Sequence, residues 1–166
     1  LGGLWVMHSG QAMSINGGNN PATPCGDKNA SCSGVGSDTA DRIAGQSLGV
    51  HQGGKSHWLN QYFNTAAFTF NAPGTFGTSG RNSMFGPGWN EADLSLSKNF
   101  NFHERYRVQI RWDMFNAFNR TEFSNPNNDY NPSATSNFGQ ITGDNALTYN
   151  GYGSARVGQA ALKFYF

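Results

Sequence analysis

Residues 91–118, which read EADLSLSKNFNF-HER-YRVQIRWDMFNAF, decide the fold. Within residues 91–102 the even positions are apolar and the odd positions are polar, with Lys98 as the exception. Residues 106–114 again carry apolar side chains at the even positions. A period of two is typical of a strand with one apolar and one polar face, so the sequence predicts strands over 91–102 and 106–118.

The two strands are predicted to form a hairpin. Facing residues of an antiparallel pair share one side of the sheet. Because the apolar residues of both strands have even numbers, the connecting loop must contain an odd number of residues. The three residues His103, Glu104 and Arg105 meet this requirement and predict that Phe102 lies opposite Tyr106.

Outside the hairpin, the chain contains one further regular strand and one weaker strand. Residues 155–166 end in the alternating series Ala160, Leu162, Phe164 and Phe166. A weaker strand is predicted near residues 4–15. The connections 16–90 and 120–153 are rich in Gly, Asn, Pro and Ser, and they are predicted to be long irregular loops. The sequence therefore predicts an all-β antiparallel meander of about four long strands.

Strand and loop lengths favour a partial transmembrane β-barrel with long extracellular loops. No run of ~18 apolar residues is present, which excludes a transmembrane helix. About 12 residues in a tilted strand span the apolar band of an outer membrane, and barrels combine short turns on one side with long loops on the other. The alternative is a secreted or surface β-domain with one buried face and an adhesin-like or carbohydrate-binding role.

Four of the charged residues at odd positions of the hairpin are predicted to form a set on its polar face. In a soluble core such charges are costly unless they are paired, whereas they are cheap beside water. We therefore predict a lumen-facing polar set that stiffens the wall through opposite charges. Its members are Asp93, Arg107, Arg111 and Asp113.

Cys25 and Cys32 are predicted to form a local disulfide, because six residues rich in turn formers separate them.

Residues 49–56 match the G-x-x-x-x-G-K-[ST] phosphate-binding motif, but no apolar strand precedes them, so we interpret the match as chance. No catalytic, cofactor-binding or metal-binding arrangement is evident, and we expect no enzyme activity, cofactor or metal. The net charge of +1 gives no reason to expect nucleic-acid binding.

An ordered series of short motifs covers nearly the whole chain. It resembles the C-terminal end of TonB-dependent outer-membrane receptors of the Oar-like type, known from acidobacteria. The motifs are GTFGTSGRNSMFGPG (74–88), WNEADLSLSKNF (89–100), RYRVQIR (105–111), FNAFN (115–119), FGQIT (138–142) and AALKFYF (160–166).

The resemblance implies a large barrel in the bacterial outer membrane, with an N-terminal plug and ligand uptake driven through TonB. Residues 1–166 are then expected to be a C-terminal fragment that contributes barrel wall and outer loops. The implied partners are outer-membrane lipid, the remaining strands and plug of the receptor, the outer-membrane assembly machinery and, through the plug, TonB. The resemblance also implies that Phe164 and Phe166 belong to an assembly signal in the last strand.

Overall fold

The chain folds mainly into strands, as the alternating sequence predicts. The computed structural model describes residues 1–17, 31–32, 36–50, 53–72, 75–102, 105–144 and 155–166. In chain order the strands are β1 (Gly2–His8), β2 (Ala12–Met13), β3 (Ser31–Cys32), β4 (Gly36–Ser37), β5 (Asp41–Arg42), β6 (Phe68–Thr69), β7 (Met84–Phe85), β8 (Trp89–Phe102), β9 (Tyr106–Phe115) and β10 (Val157–Tyr165). Helix α1 (Lys55–Asn60) and a 3-10 helix (Thr65–Ala67) lie between β5 and β6. No helix in the described part of the chain is long and apolar enough to span a membrane.

The chain divides into two compact units. The first, here called the sheet unit, comprises Leu1–Ser9, Gly88–Phe123 and Asp144–Phe166 and holds the long strands. The second, here called the loop unit, comprises Gly10–Pro87 and Ser124–Gly143 and holds the short strands and the helices.

The sheet unit contains a four-stranded antiparallel sheet in the order β1-β8-β9-β10. The long strands are therefore neighbours in chain order, which confirms the predicted all-β meander. Phe102 pairs with Tyr106 across the β8–β9 hairpin, as the parity of the sequence requires. The predicted strands 91–102 and 155–166 are observed as β8 and β10.

The strand predicted over residues 4–15 is divided in two, because β1 ends at His8 and β2 begins at Ala12. Within the loop unit, Gly10 lies against the backbone of Gly86. A Cβ atom at Gly10 would lie 1.7 Å from the Gly86 carbonyl oxygen, so the chain cannot carry a side chain there. Because the two backbones approach each other so closely at Gly10, the chain does not continue there as a regular strand.

Strand β9 ends at Phe115, before the end of the predicted strand 106–118, because the backbone turns at Asn116. Asn116 has a φ of 45°, in the left-handed region. Its side chain closes the turn: Nδ2 donates to the Arg120 carbonyl at 2.7 Å, and Oδ1 accepts from the Arg120 N–H at 3.0 Å. An asparagine side chain that bonds to nearby backbone favours a turn over a continuing strand.

The loop unit has a hydrophobic core that the sequence did not predict. Phe63 packs edge to face against Phe68 and Phe138, with ring centroids 5.8 and 5.1 Å apart. The buried residues of this core are Met13, Ile15, Ala40, Phe63, Ala67, Phe68, Met84 and Phe138. Met13 and Ile15 belong to the weaker strand predicted near residues 4–15, and the other six lie within the connections predicted as irregular. Because these segments are short and far apart in sequence, no periodic pattern predicts the core.

Candidate functional site

One face of the four-stranded sheet is apolar and exposed. The register places Leu96 opposite Trp112, and Trp112 opposite Ala160, so the even positions of β8, β9 and β10 share this face. Trp5 and Met7 of β1 extend it, because they pair with Ala92 and Asn90 of β8. We call this the apolar face. Its exposed large side chains are Trp5, Met7, Leu94, Leu96, Phe100, Phe102, Tyr106, Ile110, Trp112, Leu162 and Phe164.

The opposite face carries the predicted polar set. Its members lie at odd positions of β8 and β9: Asp93, Arg107, Arg111 and Asp113. The register pairs odd positions of β8 with odd positions of β9, so the four side chains lie on the same face. Arg111 Nε donates to Asp113 Oδ1 at 2.8 Å, which is an ion pair between two residues on the same side of one strand. We call this the polar face.

The other two members of the set have different partners. The Arg107 guanidinium lies over the Tyr165 ring of β10, 4.3 Å from the ring centroid. Asp93 Oδ1 accepts a hydrogen bond from the Asn116 N–H at 2.9 Å and so holds the turn that follows β9. Among the described residues, the four charges therefore do not form one ladder of ion pairs.

The two ends of the sheet differ in the length of their connections. At one end Phe102 pairs with Tyr106, and residues 103–105 join the two strands. At the other end His8 pairs with Trp89, and Phe115 pairs with Val157, so the long connections leave there. Short turns on one side and long loops on the other are the organisation of outer-membrane barrels.

Aromatic residues with polar partners mark the end from which the long connections leave. The His8 ring stacks on Trp89 with ring centroids 5.7 Å apart. Trp5 Nε1 donates to Asn90 Oδ1 at 2.6 Å. Aromatic side chains with an apolar body and a polar atom are enriched where a membrane meets water.

The family comparison agrees with this geometry. A family model described as "Outer membrane beta barrel domain" matches residues 1–159 of the chain. The chain belongs to the outer membrane beta barrel domain family. Comparisons with curated proteins and with solved structures found no significant match. The family and the all-β fold place this barrel domain in the bacterial outer membrane.

Membership of the barrel family explains why the apolar face is uncovered. Soluble proteins rarely expose apolar patches larger than a few hundred Å². In a barrel, the outward residues of each strand face lipid, while the inward residues are polar. Lys98 interrupts the apolar face opposite Ile110. Its aliphatic stem can lie along that face while the ammonium reaches a polar edge, as lysine does near membrane boundaries.

Two segments of the sheet unit that lie outside the strands are held by contacts that the sequence did not suggest. Glu122 is buried, and its Oε2 accepts a hydrogen bond from the Asn90 N–H at 3.2 Å. Asn119 Oδ1 accepts from the Arg156 N–H at 3.1 Å. These contacts join residues more than 30 positions apart, and no local motif predicts them.

The remaining residues and motifs singled out in the sequence lie in different parts of the chain. The predicted Cys25–Cys32 disulfide lies outside the described residues. Phe164 and Phe166 are exposed, and Phe164 lies on the apolar face. Helix α1 begins at Lys55, within the phosphate-loop match of residues 49–56, and no strand lies over residues 43–50 before it. Among the described residues, no group of three or more His, Cys, Asp or Glu side chains could hold a metal.

Proposed function

We propose that the chain forms part of the barrel wall and the outer loops of a TonB-dependent outer-membrane receptor, with no catalytic role. One observation carries this proposal: a meander of long strands has an exposed apolar face, and its long connections leave from one end. Lipid supplies the cover that the apolar face lacks, and the polar face borders the lumen.

The ordered motif series supports the receptor type, and its glycines have structural reasons in the loop unit. A Cβ atom at Gly77 would lie 1.6 Å from the Thr39 carbonyl oxygen. A Cβ atom at Gly86 would lie 1.9 Å from Asn125 Oδ1. At Gly77 the neighbouring atoms belong to the backbone, so close packing of the loop unit requires glycine there, whereas a side chain at Gly86 would displace the Asn125 amide. Such close packing is expected if the motif at 74–88 specifies an outer-loop structure.

The outer edges of the sheet indicate where the rest of the receptor would pair. In the described residues, β1 pairs only with β8 and β10 pairs only with β9. Lipid does not tolerate unpaired backbone groups, so further strands must bond to these edges in the membrane. We place the remaining strands of the receptor there and its plug on the polar face, with TonB acting through the plug.

We also propose that Phe164 and Phe166 contribute to recognition by the outer-membrane assembly machinery. An apolar strand with a free edge can be captured by β-augmentation. Substitution of both residues by serine in the whole receptor should lower its surface level, measured by protease shaving of intact cells. Lys163→Ser is the control on the polar face. Unchanged surface levels in the double variant would remove these two residues from the signal.

Two measurements test the function. Heat-modifiable migration and detergent dependence of the whole protein would support the barrel wall, whereas a monodisperse soluble monomer would support the secreted β-domain. Crosslinking of the whole protein to TonB in cells, with a TonB-deficient strain as control, would support the receptor type. If the protein migrates as a heat-modifiable barrel but never crosslinks to TonB, the proposed wall role stands and the proposed TonB-dependent receptor type is rejected.

A further inference from the structure

The loop unit contains an open groove lined by uncharged polar side chains. Its volume is about 480 Å³, within the range of small-molecule sites. A second groove of about 330 Å³ adjoins it and shares Tyr130, Asn131 and Ser136. All lining residues belong to the loop unit.

The floor of the larger groove is aromatic and fixed by the core. Phe68 and Phe138 are buried and pack edge to face, with centroids 6.0 Å apart. The Tyr130 ring packs against Phe138 at 5.3 Å and against Phe70 at 4.9 Å. The position of the Tyr130 ring in the groove is therefore set by core contacts.

Three amide side chains on the wall have no hydrogen-bond partner among the residues that the structure describes. They are Asn60, Gln61 and Gln140, and the two glutamines lie on segments that pair with each other. Backbone bonds hold their segments together, because the Tyr62 N–H donates to the Gly139 carbonyl at 2.8 Å and the Ile141 N–H donates to the Leu59 carbonyl at 2.8 Å. The Gln61 and Gln140 amides are thus placed in one groove by paired backbone segments, and within the described part of the chain the donor and acceptor of each are available to a ligand.

Other polar groups of the two grooves are already used to shape the loop. Asn127 Nδ2 donates to Asn137 Oδ1, and Asn131 Oδ1 accepts from the Ser133 N–H at 3.0 Å. The carboxylate of Asp129, the one among the described lining residues, accepts from Asn16 Nδ2 at 2.8 Å. Among the described residues, no lysine or arginine lines either groove. These lining residues therefore offer no cationic partner for an anionic ligand.

We propose that this groove binds a neutral oligosaccharide. Each sugar hydroxyl both donates and accepts a hydrogen bond, which matches the paired donor and acceptor of an amide side chain. The C–H face of a sugar ring is apolar and suits the partly exposed ring of Tyr130, which the buried Phe138 supports from below. This inference goes beyond the wall role, and it rests on the loop unit alone.

The experiment uses the full chain in detergent micelles and isothermal titration with cellohexaose, maltohexaose and xylohexaose, with hexagalacturonate as the anionic comparison. We expect at least one neutral hexasaccharide to bind. Gln61→Ala and Gln140→Ala should each weaken that binding by about 3- to 10-fold, the loss expected for one neutral hydrogen bond. Gln46→Ala is the matched control, because Gln46 is an exposed glutamine of the loop unit that lies outside both grooves.

A blocking variant keeps the test independent of any single hydrogen bond. Ala66 is exposed and lines the groove, so Ala66→Trp should abolish binding by filling it, whereas Ala44→Trp, at an exposed site outside the groove, should not. Binding of no neutral hexasaccharide, binding of hexagalacturonate alone, or binding that Ala66→Trp leaves unchanged would each overturn the proposal. Heat-modifiable migration of the whole protein reports the barrel separately, so failure of the groove is distinguishable from failure of the wall role.

Discussion

In the loop unit, Phe63 is 1% exposed and packs against two other phenyl rings, whereas in the sheet unit Leu96 is 58% exposed and Trp112 is 49% exposed. The loop unit buries a cluster of apolar side chains in a core of its own. The sheet unit exposes apolar side chains along one face of four paired strands. Although one chain forms both units, only the sheet needs a non-aqueous medium to cover its apolar side chains.

The largest expected effect is loss of the loop-unit core. Phe63→Ala should destabilise this unit by about 3–5 kcal/mol, the usual cost of removing a buried phenyl ring. Hydrogen exchange of residues 59–68, followed by mass spectrometry on the full chain, measures this loss. Phe76→Ala is the control, because Phe76 is an exposed phenylalanine of the same unit. If Phe63→Ala leaves exchange unchanged, the loop unit does not depend on this core.

A charge on the apolar face should be the next largest effect. Leu96→Arg should destabilise the protein in lipid by about 2–4 kcal/mol, the cost of arginine at the lipid face near the bilayer midplane. Urea unfolding in lipid vesicles measures this change. Ser97→Arg, the neighbouring position on the polar face, should change stability far less. Equal effects of the two variants would mean that the faces meet the same medium.

The turn after β9 should contribute a smaller stabilisation to the sheet unit. Asn116→Ala removes two side-chain hydrogen bonds and places alanine at a φ of 45°, so a loss of about 2–3 kcal/mol is expected. Asn116→Gly keeps the backbone conformation accessible and should lose less. Urea unfolding in vesicles compares the two variants. A glycine variant as unstable as the alanine variant would show that strain is not part of the cost.

The smallest effect concerns the pH dependence of the loop unit. Burial raises the pKa of the Tyr62 phenol, whose hydroxyl donates to the Phe85 carbonyl at 3.2 Å. The folded state favours the neutral phenol. The contribution of Tyr62 to the free energy of unfolding is therefore complete below pH ~10 and is lost as pH rises through the raised pKa. Tyr62→Phe should cost about 1 kcal/mol at neutral pH and flatten the alkaline decline.

Near-ultraviolet circular dichroism between pH 8 and 12 follows this decline. Tyr106→Phe, at an exposed position of the sheet unit, is the control and should leave the curve of the loop unit unchanged. An alkaline transition that is identical in Tyr62→Phe and in the parent chain would show that another group controls it.

The sheet could be predicted from sequence because each strand carries its own signal. The alternation over 91–102 and the parity of the hairpin were enough to place Phe102 opposite Tyr106. The loop unit could not be predicted in this way, because Ile15, Phe63 and Phe138 meet only after the chain has folded. Such contacts between distant segments leave no period in the sequence.

The candidate sites show the same contrast. The polar face was predictable because its residues alternate with apolar ones, although their individual partners were not. Asp93, for example, bonds to the backbone of Asn116 rather than to a cation. The groove was not predicted, because Gln61 and Gln140 are brought together by backbone bonds between segments far apart in the chain.

The central claim is that the even positions of the sheet face lipid and the odd positions face water. Nitroxide labels at residues 94, 95, 96 and 97, introduced one at a time as cysteines in a Cys25→Ser, Cys32→Ser background, test it most directly. Electron paramagnetic resonance in outer-membrane vesicles compares collision with oxygen, which concentrates in lipid, and with a water-soluble nickel complex. The proposed orientation predicts high oxygen collision at 94 and 96 and high nickel collision at 95 and 97. Equal accessibility at all four positions would contradict it.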